Sequence, residues 1–393
     1  LAFMEGMQSV GVLANAKHFP GHGDTSSDSH KTLPTINFSA KRIDSLELYP
    51  YKKLFSNGLS SVMVAHLNVP SLDSRPDYPS SLSYPIVTEL LKEKLGFKGL
   101  IFTDALSMKG ASNFSDPGEI DLQAFLAGND VMLMSNEVSQ GIETLYKAVE
   151  SGVISEERLA HSVKKILKAK YKVGLQNFVP IETTNLVADL NRQKDDLLYG
   201  KLMENAITLV QNQKNNLPLK KLELHKVAYV SMGDDAATPF VSALNKYTKV
   251  DRVSAKNLDE LIASLSNYNT VIVGLHTSNA NPWKSYRFTD KELVWLYEIA
   301  RTNNVILTVF AKPYALNDFK TVENFESILV AYQNSPIAQQ KAAQIIFGAL
   351  PAKGTLPVSC GPNFKAGLGL QTTSLNRLTY GLPESVGIDA QRL

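Results

Sequence analysis

The chain has 393 residues, 44% of them hydrophobic and 20% charged, and its 40 basic and 38 acidic residues leave a formal charge of +2. So small a charge excludes the broad basic footprint of a nucleic-acid binder and points to a small, neutral or weakly charged partner, while the length calls for two or more domains. Cys360 is the single cysteine, which excludes an intramolecular disulfide framework and a cysteine metal cluster, and no run of about 18 apolar residues marks a membrane span.

The chain opens without methionine in LAFMEGMQSVGV, the end of an amphipathic helix running into a strand. This reads as a fragment whose targeting signal would lie upstream. From residue 10 to about 175, apolar runs alternate with helical patterns. GVLANAKHF, SSVMVAH, GLIFTD and DVMLM are the predicted strands. SAKRIDSLELYPYKKLFSNG and SYPIVTELLKEKLG are helices between them, the second with Ser83 as N-cap and Gly96 as stop, and ERLAHSVKKILKAKYKVG closes the region as a basic amphipathic helix. Strands apolar throughout, each followed by a helix, imply a parallel sheet covered by helices. Polar residues cluster just after the strands: Lys17 and His18, His66, Asp104, Ser135 and Asn136. Such clustering is expected at the rim of half a (β/α)₈ barrel, and equally at the strand ends of an open doubly wound sheet.

Residues 1–175 are therefore taken as one α/β domain, with the polar strand ends as its candidate site, and 176–200, polar and weakly periodic, as a linker. A second α/β domain follows over 201–370, a doubly wound sheet of about five strands that includes HKVAYVSMG, TVIVGLH, NVILTVFA and SILVAYQN. Its glycine-rich stretch GPNFKAGLGL lacks GxGxxG and a following helix, so no nucleotide cofactor is expected. Residues 371–393 read as a linker into a further domain.

The stretch AKHFPGHGDTSSDSH, residues 16–30, holds three of the seven histidines. His18 and His22 have the i, i+4 spacing of a helical zinc pair, with His30 and Asp24 or Asp28 to complete a site, but Pro20, Gly21 and Gly23 bar a helix there. A plain surface loop is a second reading. The third is acid/base chemistry: Asp28, two residues before His30, can hold one ring N–H, orienting the imidazole and favouring its protonated form. Such an acid needs a partner of opposite role. Asp104, ending GLIFTD, is either a helix N-cap or that partner, a carboxylate projecting from the rim. A fixed carboxylate and a separate acid on one rim suit glycosidic bond cleavage.

KHFPGHGDTSSDSH followed by GFKGLIFTDALSMKG resembles glycoside hydrolase family 3, and within it the bacterial β-N-acetylglucosaminidases of the NagZ type, in order, spacing and the intervening AH…P segment over roughly residues 1–175. NAITLVQNQKNNLPL and KGTLPVS are similar to the family's α/β sandwich domain, and GLPESVGIDAQRL weakly to the start of a β-lactamase-like domain. The resemblance implies a C-terminal half of a TIM barrel followed by a sandwich domain, with the first strands upstream, so that this stretch alone is expected to be poorly stable and nearly inactive. It implies a retaining mechanism with Asp104 as nucleophile, His30 as acid/base and Asp28 as its dyad partner, while Lys17 and His18 bind sugar hydroxyls. No metal or cofactor is implied. Terminal β-N-acetylglucosamine, in muropeptides or chitooligosaccharides, is the expected substrate, and the tail match points to an exported envelope protein. A histidine acid repels an anion less than a carboxylate does, so phosphorolysis is the nearest alternative and a non-catalytic carbohydrate binder the next. Three further candidates carry less weight. His66 either touches substrate or caps its strand, His276 packs in the second domain, and Ser162 with Lys165 matches SxxK by letters without the partners that motif needs.

Overall fold

All four predicted strands of the first half form in the computed structural model, which describes residues 1–25, 27–28, 31–234, 237–278, 280 and 285–388. They are β1 Asn15–Phe19, β2 Ser61–Val64, β3 Leu100–Ala105 and β4 Val131–Leu133. They pair in parallel in the order β1-β2-β3-β4. A doubly wound sheet reverses its strand order at a switch point, and this one does not, so it is wound as part of a barrel. Alternation within the strands sets the core. Val62, Val64 and Ile101 pack with Tyr51, Ile86 and Leu91 of the crossover helices, while Met63 and Phe102 on the opposite face are half-buried. The chain separates into two units, Leu1–Ile181 and Glu182–Leu393.

The segment expected to be one helix after the histidine loop is two, Ala40–Ser45 and Tyr49–Phe55. Pro50 explains the break, since without an N–H it is tolerated in the first turn of a helix but not in its interior. Ser39 accepts from Arg42 N (3.2 Å) to cap the first. Helix Pro85–Lys94 starts where Ser83 Oγ accepts from Ile86 N (3.3 Å), while donating to the buried Asp73 (2.5 Å).

The basic helix Glu156–Lys172 is fastened to the sheet through Asp130, the residue before β4. That buried carboxylate accepts from Ile101 N (3.0 Å) and Ser162 Oγ (2.6 Å) and pairs with Lys165. Arg158 adds bonds to Ser162 Oγ (2.6 Å) and to the carbonyls of Phe125 (3.1 Å) and Asn129 (2.8 Å). The SxxK spacing of Ser162 and Lys165 thus places both on one helical face, toward a shared carboxylate, in a packing role.

The second unit contains a six-stranded sheet in the order β5-β10-β9-β8-β6-β7. Its strands are β5 Thr208–Asn212, β6 Val227–Gly233, β7 Val250–Arg252, β8 Thr270–His276, β9 Val305–Phe310 and β10 Phe325–Val330. β5 runs antiparallel to β10 and the other pairs are parallel. The strand order reverses between β6 and β8, and the sheet carries an apolar core on each face. Two short strands, β5 and the edge strand β7, the first of them antiparallel, join the four strands named from the sequence and bring the sheet to six instead of about five. The expected linker also differs. Gln193–Ala206 is a helix that buries Gly200 and Met203, and its Glu204 pairs with Lys341. Past residue 370 the chain still packs on this unit, where Gln344 donates to Tyr380 O (2.9 Å) and accepts from Tyr380 N (3.0 Å).

His276 is fully buried at the end of β8 and stacks on Phe310. Gln339 donates to Asn334 Oδ1 (2.8 Å), which fixes that oxygen as an acceptor. His276 therefore donates through Nδ1 to Asn334 (2.7 Å) and accepts at Nε2 from Tyr229 O–H (2.6 Å). It is a core residue.

Candidate active site

Three adjacent parallel strands bring their C-terminal ends, and the polar residues that follow them, to one rim. β1 ends in Lys17, His18 and Phe19; Phe19 is fully buried with its ring edge-on to Tyr51 at 5.2 Å, which anchors the strand end. Lys17 is exposed, His18 half-buried, and the peptide bonds Lys17–His18 and Phe19–Pro20 are cis. At the end of β3, Asp104 Oδ1 accepts from Ala105 N (2.9 Å), and Oδ2 lies 3.6 Å from His18 Nε2. The Asp104 side chain keeps 12% of its surface accessible. A carboxylate so held is buried enough to be fixed and open enough to meet a ligand. The structure thus brings Asp104 and His18 together, as a rim of sequence-adjacent strands must.

His66, at the end of β2, is corrected by the structure. It is fully buried, and both ring nitrogens are bonded to protein, Nδ1 with Ser81 Oγ (2.7 Å) and Nε2 with the Ala105 carbonyl (2.9 Å). A carbonyl only accepts, so Nε2 carries the proton and Nδ1 accepts from Ser81 O–H. Burial pushes the imidazole below its ordinary pKa, against the opposing pull of the Ala105 bond and the Asp104 charge. A neutral histidine with both nitrogens engaged is not a sugar ligand. It positions the end of β3, one residue from Asp104.

In the histidine loop, His22 Nδ1 bonds with Thr25 Oγ1 (3.0 Å), and its ring lies edge-on to His18 at 6.0 Å. Asp28 is half-buried, and its carbonyl accepts from Lys31 N (3.0 Å) and Thr32 N (3.1 Å), closing a turn. His30 lies outside the described residues, and with it the geometry of the Asp28–His30 dyad. Among the described residues no group of three His, Cys, Asp or Glu side chains is placed to hold a metal ion.

Sequence reasoning missed what anchors this loop. Arg42 pairs with Glu47, reaches Asp24 Oδ2 at 3.3 Å and lies 4.6 Å from the Phe38 ring centroid. Gly21, at φ +139, approaches Glu47 so closely that a Cβ would stand 2.5 Å from Glu47 Cβ. Nothing local links Asp24 to an arginine 18 residues on. Arg42→Ala is expected to release the loop, raising backbone amide exchange at residues 21–25 by roughly ten- to a hundredfold. Hydrogen exchange alongside a melting curve checks this, and unchanged protection in a folded variant would show that the tether does not position the loop.

The first unit is thus a parallel, sequentially wound α/β sheet whose rim presents a carboxylate among imidazoles, and the second is a mixed α/β unit. Residues 1–169 match the family model described as the glycosyl hydrolase family 3 N terminal domain. It is 31% identical over 269 residues to beta-hexosaminidase A of Pseudoalteromonas piscicida, covering 63% of this chain and 44% of that protein. It is 39% identical over 145 residues to a beta-hexosaminidase of Haemophilus influenzae, covering 37% of this chain and 40% of the relative. The chain therefore spans less than half the length of these relatives. A glycoside hydrolase family 3 beta-N-acetylglucosaminidase from Paenibacillus sp. str. FPU-7 has the same fold, with a TM-score of 0.69 and 27% identity over 90% of this chain and 68% of that one. This likeness supports the reading of the two units as barrel and sandwich.

Proposed function

We propose that this chain carries the catalytic rim of a retaining glycoside hydrolase that removes terminal β-linked N-acetylglucosamine, as its relatives' names indicate for them. The observation that carries this is the fixed, partly open Asp104 carboxylate beside His18, on the same strand ends from which the DSH loop departs. In the first step an Asp104 oxygen bonds to the anomeric carbon as the glycosidic C–O bond breaks, and the leaving oxygen takes a proton from the His30 imidazolium. In the second, water gives a proton to neutral His30 and displaces Asp104, restoring the β configuration. Asp28 stabilises the imidazolium, and Lys17 and His18 bond sugar hydroxyls. Muropeptides and chitin oligomers both present the required terminal sugar.

Lys17, His18 and His22 at this rim favour one second reading, in which phosphate replaces water as acceptor. The test is release of para-nitrophenol from its N-acetyl-β-glucosaminide, with products identified with and without phosphate. Release with retained configuration supports the proposal, and a sugar phosphate would make the protein a phosphorylase. The assay uses the protein extended to the full length of its relatives, and no release by that folded protein would leave the rim to carbohydrate binding without turnover.

A further inference from the structure

The cations gathered behind β4 outnumber the carboxylate that faces them. The turn Gly128-Asn129-Asp130 is met at each residue by a different cation. Lys92, from helix Pro85–Lys94, lies against Gly128, where φ is +120 and a Cβ would stand 2.8 Å from Lys92 Nζ. Arg158 donates to Asn129 O, and Lys165 pairs with Asp130. Among the described residues the charges acting on Lys92 are those of Arg158, Lys165 and Asp130, so three cations share one carboxylate there and two positive charges are in surplus. Asp130 is already committed to Ile101, Ser162 and Lys165. His161, on the same helix as Arg158 and Lys165, brings no relief, since burial and Lys165 hold it below its ordinary pKa.

Lys92 is half-buried, and its ammonium makes no hydrogen bond among the described residues. A half-buried ammonium beside two other cations is unfavourable. Burial first, then Arg158, pushes its pKa down to about 8. Its neutral fraction near pH 7 then exceeds that of an ordinary lysine by roughly two orders of magnitude. A small, uncharged electrophile can reach such an amine. The product best matched to the cluster is an anion, because turning one cation into one anion removes both surplus charges, whereas acylation removes one.

We propose that Lys92 is a carbon dioxide capture site, its amine forming a carbamate held by Arg158 and Lys165. The nitrogen lone pair bonds to the carbon of CO₂, one C=O pair moves onto oxygen, and the displaced N–H proton leaves to water. No oxidant or second reactant is needed.

The test is to equilibrate the full chain with ¹³C-bicarbonate at pH 8, trap carbamates by alkylation with triethyloxonium ion, and map the adducts by peptide mass spectrometry. The expected result is an adduct on Lys92 at least tenfold more abundant than on any other lysine, with the exposed Leu1 amine as an internal reference. Lys92→Arg keeps the charge and should abolish the adduct. Arg158→Gln, in a variant shown to be folded, should reduce it several-fold. No adduct on Lys92 in the folded protein, or labelling no greater than that of exposed lysines, would overturn the proposal.

Discussion

Replacing Asp104 by asparagine in the protein extended to its relatives' full length is expected to lower the release of N-acetylglucosamine by at least about three decades, a barrier increase of roughly 4 kcal/mol. The amide is nearly isosteric and retains an oxygen to accept from Ala105 N, so β3 and the His18 contact have no steric reason to move. What disappears is the charge, and with it both the attack on the anomeric carbon and the stabilisation of its positive transition state. The loss should fall on kcat, with the melting temperature within a few degrees of the parent. A fluorinated N-acetylglucosaminyl donor that forms its ester quickly and hydrolyses it slowly should label Asp104 in the parent and nothing in the variant. A variant retaining more than a tenth of the activity would remove Asp104 from the nucleophile's role.

Asp130→Ala should be the most damaging single change to the first unit, costing about 3–5 kcal/mol of stability. The carboxylate is wholly buried, and removing it leaves Lys165, 15% accessible, with no counter-charge and strips the Ile101 N–H of its acceptor. Lys92 and Arg158 would then face only each other and Lys165. By contrast, Arg192 and Asp195 form an ion pair about half exposed on both sides, and Asp195→Ala there should change stability little, because solvent screens the pair. Urea unfolding of both variants checks the contrast, and equal midpoints would mean that the buried cluster contributes nothing beyond its surface counterpart.

Residues whose placement depends on chain neighbours were legible without the structure. An apolar run ending in a polar residue announces both a buried strand and its rim, and Lys17, His18 and Asp104 stand where GVLANAKHF and GLIFTD put them. The helix break at Pro50 follows a local rule that the amphipathic pattern masked. β5 was harder, because TLVQN is short and gains its partner from β10, more than a hundred residues away. His66 was legible as a strand-end residue but not as a buried one, since Ser81 and the Ala105 carbonyl reach it from two other segments.

By itself, then, the amino-acid order determined the two α/β regions, the strands of the rim and the residue types presented there, because hydrophobic periodicity and turn chemistry are local. Only the tertiary structure decided that the first sheet is wound in sequence order, that His66 supports Asp104 from beneath, that Arg42 holds the histidine loop through Asp24, and that three cations crowd one carboxylate behind β4. Each of these is a contact between segments far apart in the chain, and its energy depends on burial and on the number of opposite charges within reach, quantities that exist only once the chain has folded.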